Sequence, residues 1–133
     1  MFENFKFTNN QIDKYFNSAQ RDLTIAKTSA VTEVAFRFAY DSLLKLAIAI
    51  CAHHGLRVKA RQGHHAELIS KLAELLNNSD IEVIANEMRT KRNWDLYGGG
   101  ALISAKETRE YLCWIEDIFS KAEDIFKENK LKL

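Results

Sequence analysis

At 133 residues, with 47% apolar side chains and a formal net charge of +1, the chain is long enough for one well-filled core and too apolar for general disorder. A charge balance this close to neutral excludes a global basic field, so any contact with nucleic acid must come from a local cluster of cations. With no proline, and with three of its five glycines in a row, the composition is that of long uninterrupted helices.

Residues 1–6 contain no apolar signal core. A first helix opens at Thr8, where Thr8-x-x-Gln11 has the form of a capping box. Ile12, Tyr15, Phe16, Ala19, Leu23 and Ala26 then recur at helical spacing, and the helix ends near 27–29. A second helix spans about 31–54. It is apolar on two faces, one marked by Val31, Val34, Ala35 and Phe38, the other by Phe36, Tyr40, Leu43, Leu44, Ala47 and Ile48. Such a helix belongs at the centre of a bundle, and Gly55 is its stop. Its most apolar run, 43–52, is broken by Lys45 and is far too short to span a bilayer. A cytoplasmic protein without a membrane segment is the expectation.

Residues 56–63 read as a basic loop. Arg57, Lys59 and Arg61 alternate with Val58, Ala60 and Gln62 as in a strand, but the run is short and isolated. A third, shorter helix starts at His64 with the stripe His65, Leu68, Ile69, Leu72, Leu75 and Leu76, and Asn77-Asn78 ends it. Ser79-x-x-Glu82 opens a fourth helix, whose stripe Ile81, Ile84, Ala85 and Met88 is continued by Arg92. Ser104-x-x-Glu107 opens the last, with Tyr111, Leu112, Ile115, Ile118, Phe119, Ala122, Ile125 and Phe126 inward. Residues 127–133 form a polar, fraying tail. The pattern predicts an all-α fold: an antiparallel up-and-down bundle of four main helices plus one shorter helix. It forms a single domain over 1–133 with its core at about 9–126. Cys51 and Cys113 are expected as buried, reduced thiols.

The stretch Arg89-Thr90-Lys91-Arg92-Asn93-Trp94-Asp95-Leu96-Tyr97, running into Gly98-Gly99-Gly100, holds more donors than a helix end requires. It reads as a phosphate-contacting edge. Arg92 can clamp a phosphate, Asn93 can orient a hydroxyl or base edge, and Tyr97 can donate a hydrogen bond. Arg92 and Tyr97 point ~140° apart on a regular helix. They converge on one ligand only if the helix unwinds near Leu96 or if two chains meet. The competing reading pairs Arg89 and Arg92 with Glu82, Glu87 or Asp95, and places Tyr97 in the core. His64 is expected at a helix N-terminus, on one polar edge with Arg57, Lys59 and Arg61, and His65 in the core. The doublets His53-His54 and His64-His65 lack any HxxxH spacing, so neither metal nor cofactor is expected. Trp94 and Trp114 read as packing groups.

Three segments, Tyr40-Asp41-Ser42-Leu43-Leu44-Lys45-Leu46-Ala47, Gly63-His64-His65-Ala66-Glu67-Leu68-Ile69 and Arg89-x-x-Arg92-Asn93-x-x-x-Tyr97, occur in this order. Together they resemble a small, single-domain HEPN protein over roughly residues 12–125. The resemblance implies a helical bundle that dimerises. Many members are metal-independent endoribonucleases using Arg-x(4–6)-His, and many serve as toxins in toxin–antitoxin or defence modules, some beside a minimal nucleotidyltransferase that neutralises them. Arg92 and Asn93 match the start of that motif. Tyr97 stands where ribonuclease members carry histidine, and no histidine follows Arg92. Loss of a positioned acid–base group costs about 10²–10⁴-fold in rate. The resemblance therefore implies a homodimer using Arg92, Asn93 and Tyr97, with Arg89, Lys91, His64, Arg57, Lys59 and Arg61 around them, to bind RNA or nucleotide phosphates with weak or absent cleavage. Two alternatives stand beside it. One is a non-catalytic partner of a nucleotidyltransferase-type antitoxin, and the other an active ribonuclease with Tyr97 in the histidine's place.

Overall fold

The computed structural model describes residues 2–59, 64–97 and 103–131, with the backbone alone at 94–97 and 128–131. In chain order the elements are β1 (Phe2–Asn4), α1 (Asn9–Thr28), α2 (Thr32–His53), β2 (Leu56–Val58), α3 (His64–Leu75), α4 (Asp80–Tyr97) and α5 (Ala105–Leu131).

Local chemistry explains most of the boundaries. The Thr8 hydroxyl accepts from Gln11 N while the Gln11 side chain accepts from Thr8 N, so both bonds of the box at α1 form. The same reciprocal pair joins Ser104 and Glu107 at α5. The box expected from Ser79 and Glu82 is corrected: the Asn78 side-chain oxygen accepts from Asp80 N at 3.1 Å, because a short asparagine amide reaches two residues ahead more readily. Asn77, at φ 51°, ends α3 in the left-handed region, and Asn78 N donates to Ala73 O at 2.9 Å, closing a Schellman turn. Gly55, at φ +72°, ends α2 in the same backbone region with its N–H donating to Ala52 O at 3.0 Å, and any side chain there would be strained.

Residue pairs give the helix directions. Asp22 of α1 meets Lys45 of α2, while Gln20 and Lys27 of α1 meet Glu123 and Glu116 of α5. Lys91 and Glu87 of α4 meet Glu107 and Tyr111 of α5. The numbers fall on α5 as they rise on α1 and on α4, and α2 runs with α5, Phe36 beside Tyr111 and His53 beside Phe126, so α1, α2, α4 and α5 alternate in direction around a shared core, with the shorter α3 between α2 and α4. This is the expected bundle. The middle of α2 is the core's axis: Leu43, Leu46 and Ile50 are fully buried, with Leu68 and Leu72 from α3, Ile81 and Met88 from α4, and Ile115 and Ile118 from α5. A helix touched by all four others buries most of its surface, which is why its middle is almost wholly apolar. No helix among the described residues is long and apolar enough to cross a membrane.

Three expectations are corrected here. The loop at 56–63 begins with a strand, because β2 pairs antiparallel with β1, Phe2 opposite Val58 and Glu3 opposite Arg57. The alternation looked isolated only because its partner lies more than fifty residues earlier. Cys51 is buried but Cys113 is exposed. It stands one position, hence ~100°, from Leu112 and so off the inward stripe of α5. Tyr15 is also 38% exposed and packs edge-on against Phe7 rather than in the core.

The α4–α5 contact is polar. The Tyr111 hydroxyl donates to Glu87 and accepts from Lys91 Nζ at 2.8 Å, and Lys91 also bonds Glu107 at 2.8 Å. Tyr111→Phe removes the hydroxyl but leaves the Lys91–Glu107 pair. We expect a loss of about 1 kcal/mol in urea denaturation. Unchanged stability would mean that the ring alone carries the contact.

Candidate anion site between α2, α3 and α4

Met88 is fully buried on the inner stripe of α4, and Arg92, one turn on, keeps to that face. Its side chain is half-buried, with Cζ 5.7 Å from the centre of the Tyr40 ring on α2. Arg92 Nε is buried without a hydrogen-bond partner, the one such side-chain nitrogen or oxygen among the described residues. An orphaned donor of this kind costs about 1–3 kcal/mol, so it calls for an explanation. Neither Glu82 nor Glu87 neutralises the guanidinium, since Glu87 is taken by Tyr111 and Lys91. The Asp95 side chain lies outside the described residues.

Around Arg92 stand residues from three helices. Tyr40 is fully buried, and its hydroxyl lies 3.4 Å from His65 Nδ1 on α3. Burial pushes the Tyr40 phenol up to about 12, against the opposing influence of Arg89 and Arg92. Burial also lowers the pKa of His65, and His64, Arg92 and Arg89 lower it further. The Asp41 pKa is raised by burial, with Arg92 as the strongest opposing influence. Arg89 Nε donates to Asn86 Oδ1 at 3.1 Å. The result is a half-buried cluster of two guanidiniums, a neutral imidazole and a protonated phenol, with Asp41 beside it.

The residues expected from sequence divide sharply. Arg92 and Arg89 belong to this cluster. Asn93 is exposed, one position and ~100° around α4 from Arg92. The α4 backbone stays helical through Tyr97, so the unwinding near Leu96 that would bring Arg92 and Tyr97 together does not occur. The Tyr97 side chain and Gly98 to Gly100 lie outside the described residues. Lys91 is turned away from Arg92 toward α5. Burial alone would lower its pKa, but its bonds to Glu107 and Tyr111 outweigh that and raise it, so its charge is already matched. Arg57 sits on β2, paired with Glu3 and stacked 4.4 Å above Phe5, and Lys59 lies 3.9 Å from the same carboxylate. Arg61 lies outside the described residues. His64 does open α3, and with Arg57, Phe7 and Tyr15 it lines a cavity of about 250 Å³.

Sequence reasoning missed Tyr40, Asp41 and His65. The signal was there: Tyr40-Asp41 is a polar interruption in the most central helix, and a helix buried all round keeps such a pair only where something faces it. His65 was placed in the core, whereas it is half-buried and bonded to Tyr40.

Other features are less suited to anions. A groove of about 430 Å³ between α1 and α5 is lined by Glu116 and Glu123 as well as Lys27. Among the described residues no three His, Cys, Asp or Glu side chains converge as a metal site. Compared with known family models, curated proteins and solved structures, the chain has no match. What fold and site define is therefore a class: an all-α bundle with an arginine–tyrosine–histidine cluster where three helices meet.

The lowered pKa values of His65 and His53 predict a pH dependence. His53 is lowered by burial and by His54. In the unfolded chain each binds its proton near the ordinary value, ~6.5, and in the folded chain only below it. Folding is thus fully supported above ~6.5 and loses support as pH falls through the folded-state values. Thermal unfolding at pH 7.5 and 5.5 should show a lower Tm at 5.5, with a smaller drop in His53→Phe.

Proposed function

We propose that this chain is a HEPN-like protein that binds RNA or nucleotide phosphates through the α2–α3–α4 cluster, with Arg92 as its principal contact. The observation that carries this reading is the Arg92 guanidinium, half-buried against Tyr40, with an orphaned Nε and no ion pair among the described residues. A structural arginine at this depth would be matched by a carboxylate. An arginine kept unmatched is suited to an anion arriving from outside. A second support is spatial. The three segments that carry the HEPN resemblance are far apart in sequence, yet Tyr40, His65 and Arg92 stand in contact or near-contact.

Because α4 stays helical through Tyr97, Arg92 and Tyr97 act on one phosphate only across two chains, and the proposal includes a cytoplasmic homodimer. The apolar surface for it is not around Met88, which is buried; α4 instead exposes Val83, at 69%. A toxin–antitoxin or defence-like module with a nucleotidyltransferase-type antitoxin is the setting this reading implies. With no histidine at position 97, cleavage is weak or absent.

Fluorescent single-stranded RNA titrated at rising salt tests the proposal. Binding should weaken steeply with salt, as phosphate contacts do. The same RNA incubated with chelator should remain largely intact. Efficient cutting that Arg92→Met abolishes would favour the ribonuclease reading. Salt-insensitive or absent binding, with a protein partner co-purifying, would favour the interaction module.

A further inference from the structure

We infer that His65 is a third donor to the bound anion, beside Arg92 and Arg89, and that the group held is a phosphomonoester dianion taken up together with a proton. This rests on the phosphate-binding reading above and extends it to a ligand class and a further contact residue.

The hydrogen bonding of Tyr40 comes first. Its hydroxyl is fully buried, and His65 Nδ1 is its one partner among the described residues. A buried hydroxyl hydrogen must find an acceptor. Tyr40 therefore donates to Nδ1, which fixes the neutral tautomer of His65 with its proton on Nε2. Among the described residues that nitrogen has no hydrogen-bond partner, and it is not among the buried orphans, so it faces solvent as a ready donor. The phenol thus sets which edge of the imidazole an incoming anion meets.

Charge then selects the ligand. The charged or titratable groups that reach His65 are Tyr40 from α2, His64 from α3, and Arg89 and Arg92 from α4. No carboxylate is among them. Asp41 interacts with Arg92, and also with Asp22 of α1 and with Lys45 and Arg37 on its own helix. Among the described residues, Arg89 and Arg92 against Asp41 leave a single unmatched positive charge. A phosphodiester, with one negative charge, would be matched without His65. A phosphomonoester carries up to two negative charges and three terminal oxygens. Its second charge is matched when His65 takes a proton from solvent onto Nδ1. Tyr40 then rotates to accept from Nδ1–H, giving up its own acceptor, a cost that the dianion's bonds to Nε2–H and the guanidiniums must exceed.

The test is calorimetry of the full chain in two buffers of different ionisation heat, with sulfate as a permanently dianionic probe. A 5′-phosphorylated oligoribonucleotide and its 5′-hydroxyl twin form the other arms. Sulfate and the phosphorylated strand should each bind with uptake of nearly one proton. Affinity for sulfate should rise about tenfold per unit fall in pH between the free and bound His65 values. The His65 ring resonance should move to its protonated position when sulfate is added. His65→Gln should still bind, more weakly, without the pH slope, and Tyr40→Phe should keep the slope but shift it to higher pH. No proton uptake, an unmoved His65 resonance, or equal binding of the two strands would overturn the inference. If Arg92→Met abolishes binding while no proton is taken up, the phosphate site stands and only the role of His65 falls. If Arg92→Met binds as well as the parent protein, both fall.

Discussion

Arg92→Met is expected to weaken RNA and phosphate binding by about 10–100-fold, the loss of one charge-assisted contact, while leaving the protein as stable as before or more so. The two effects have opposite signs because one side chain carries both. Arg92 Nε is buried without a partner, so its removal relieves a desolvation penalty of about 1–3 kcal/mol. Against this stands the lost contact of the guanidinium with the Tyr40 ring, about 0.5–1 kcal/mol, part of which the methionine thioether restores. A residue that costs stability yet stays in place is characteristic of a binding site. Filter binding at fixed salt reads the first effect, and urea denaturation the second. Destabilisation beyond about 2 kcal/mol with undiminished binding would make Arg92 a structural residue and remove the basis of the proposed function.

Lys45→Met is expected to destabilise the bundle by about 2–3 kcal/mol, equivalent to a Tm lower by several degrees. Asp22 on α1 is 3% exposed, and Lys45 of α2 lies 2.8 Å from it. Without that ammonium, a carboxylate is left in the core with its principal partner gone. Loss of one member of a buried pair costs about 3–5 kcal/mol; the estimate is reduced because Lys45 is itself 39% exposed. Replacing both members, Asp22→Leu with Lys45→Met, should recover most of the loss, since apolar groups of similar size fill such a site well. Additive losses in the double variant would show that the two side chains do not act as a pair.

The contrast between Lys91 and Arg92 shows where sequence reading ends. The two cations are adjacent on one helix and read alike. In the folded chain they point ~100° apart, and that angle separates two fates. Lys91 meets Glu107 and Tyr111 of α5 and is neutralised, whereas Arg92 meets the face of Tyr40 and has no ion pair among the described residues. The histidine doublet behaves the same way. His64 turns toward Arg57 and the small sheet, while His65 turns toward Tyr40 and the arginines.

Helix number, most boundaries, the central position of α2 and the inward stripes were legible in the chain. They depend on residues three or four positions apart, whose geometry any α-helix supplies. Thr8 with Gln11, and Ser104 with Glu107, needed nothing beyond their own turn. Pairings across long separations were decided by the tertiary structure alone: β1 with β2, Tyr40 with His65, Arg92 with Tyr40. In each, a residue's role depends on which neighbour the packed helices bring to it. Packing also left the Arg92 guanidinium without an ion pair among the described residues, and a list of residues cannot show which charge packing will leave so.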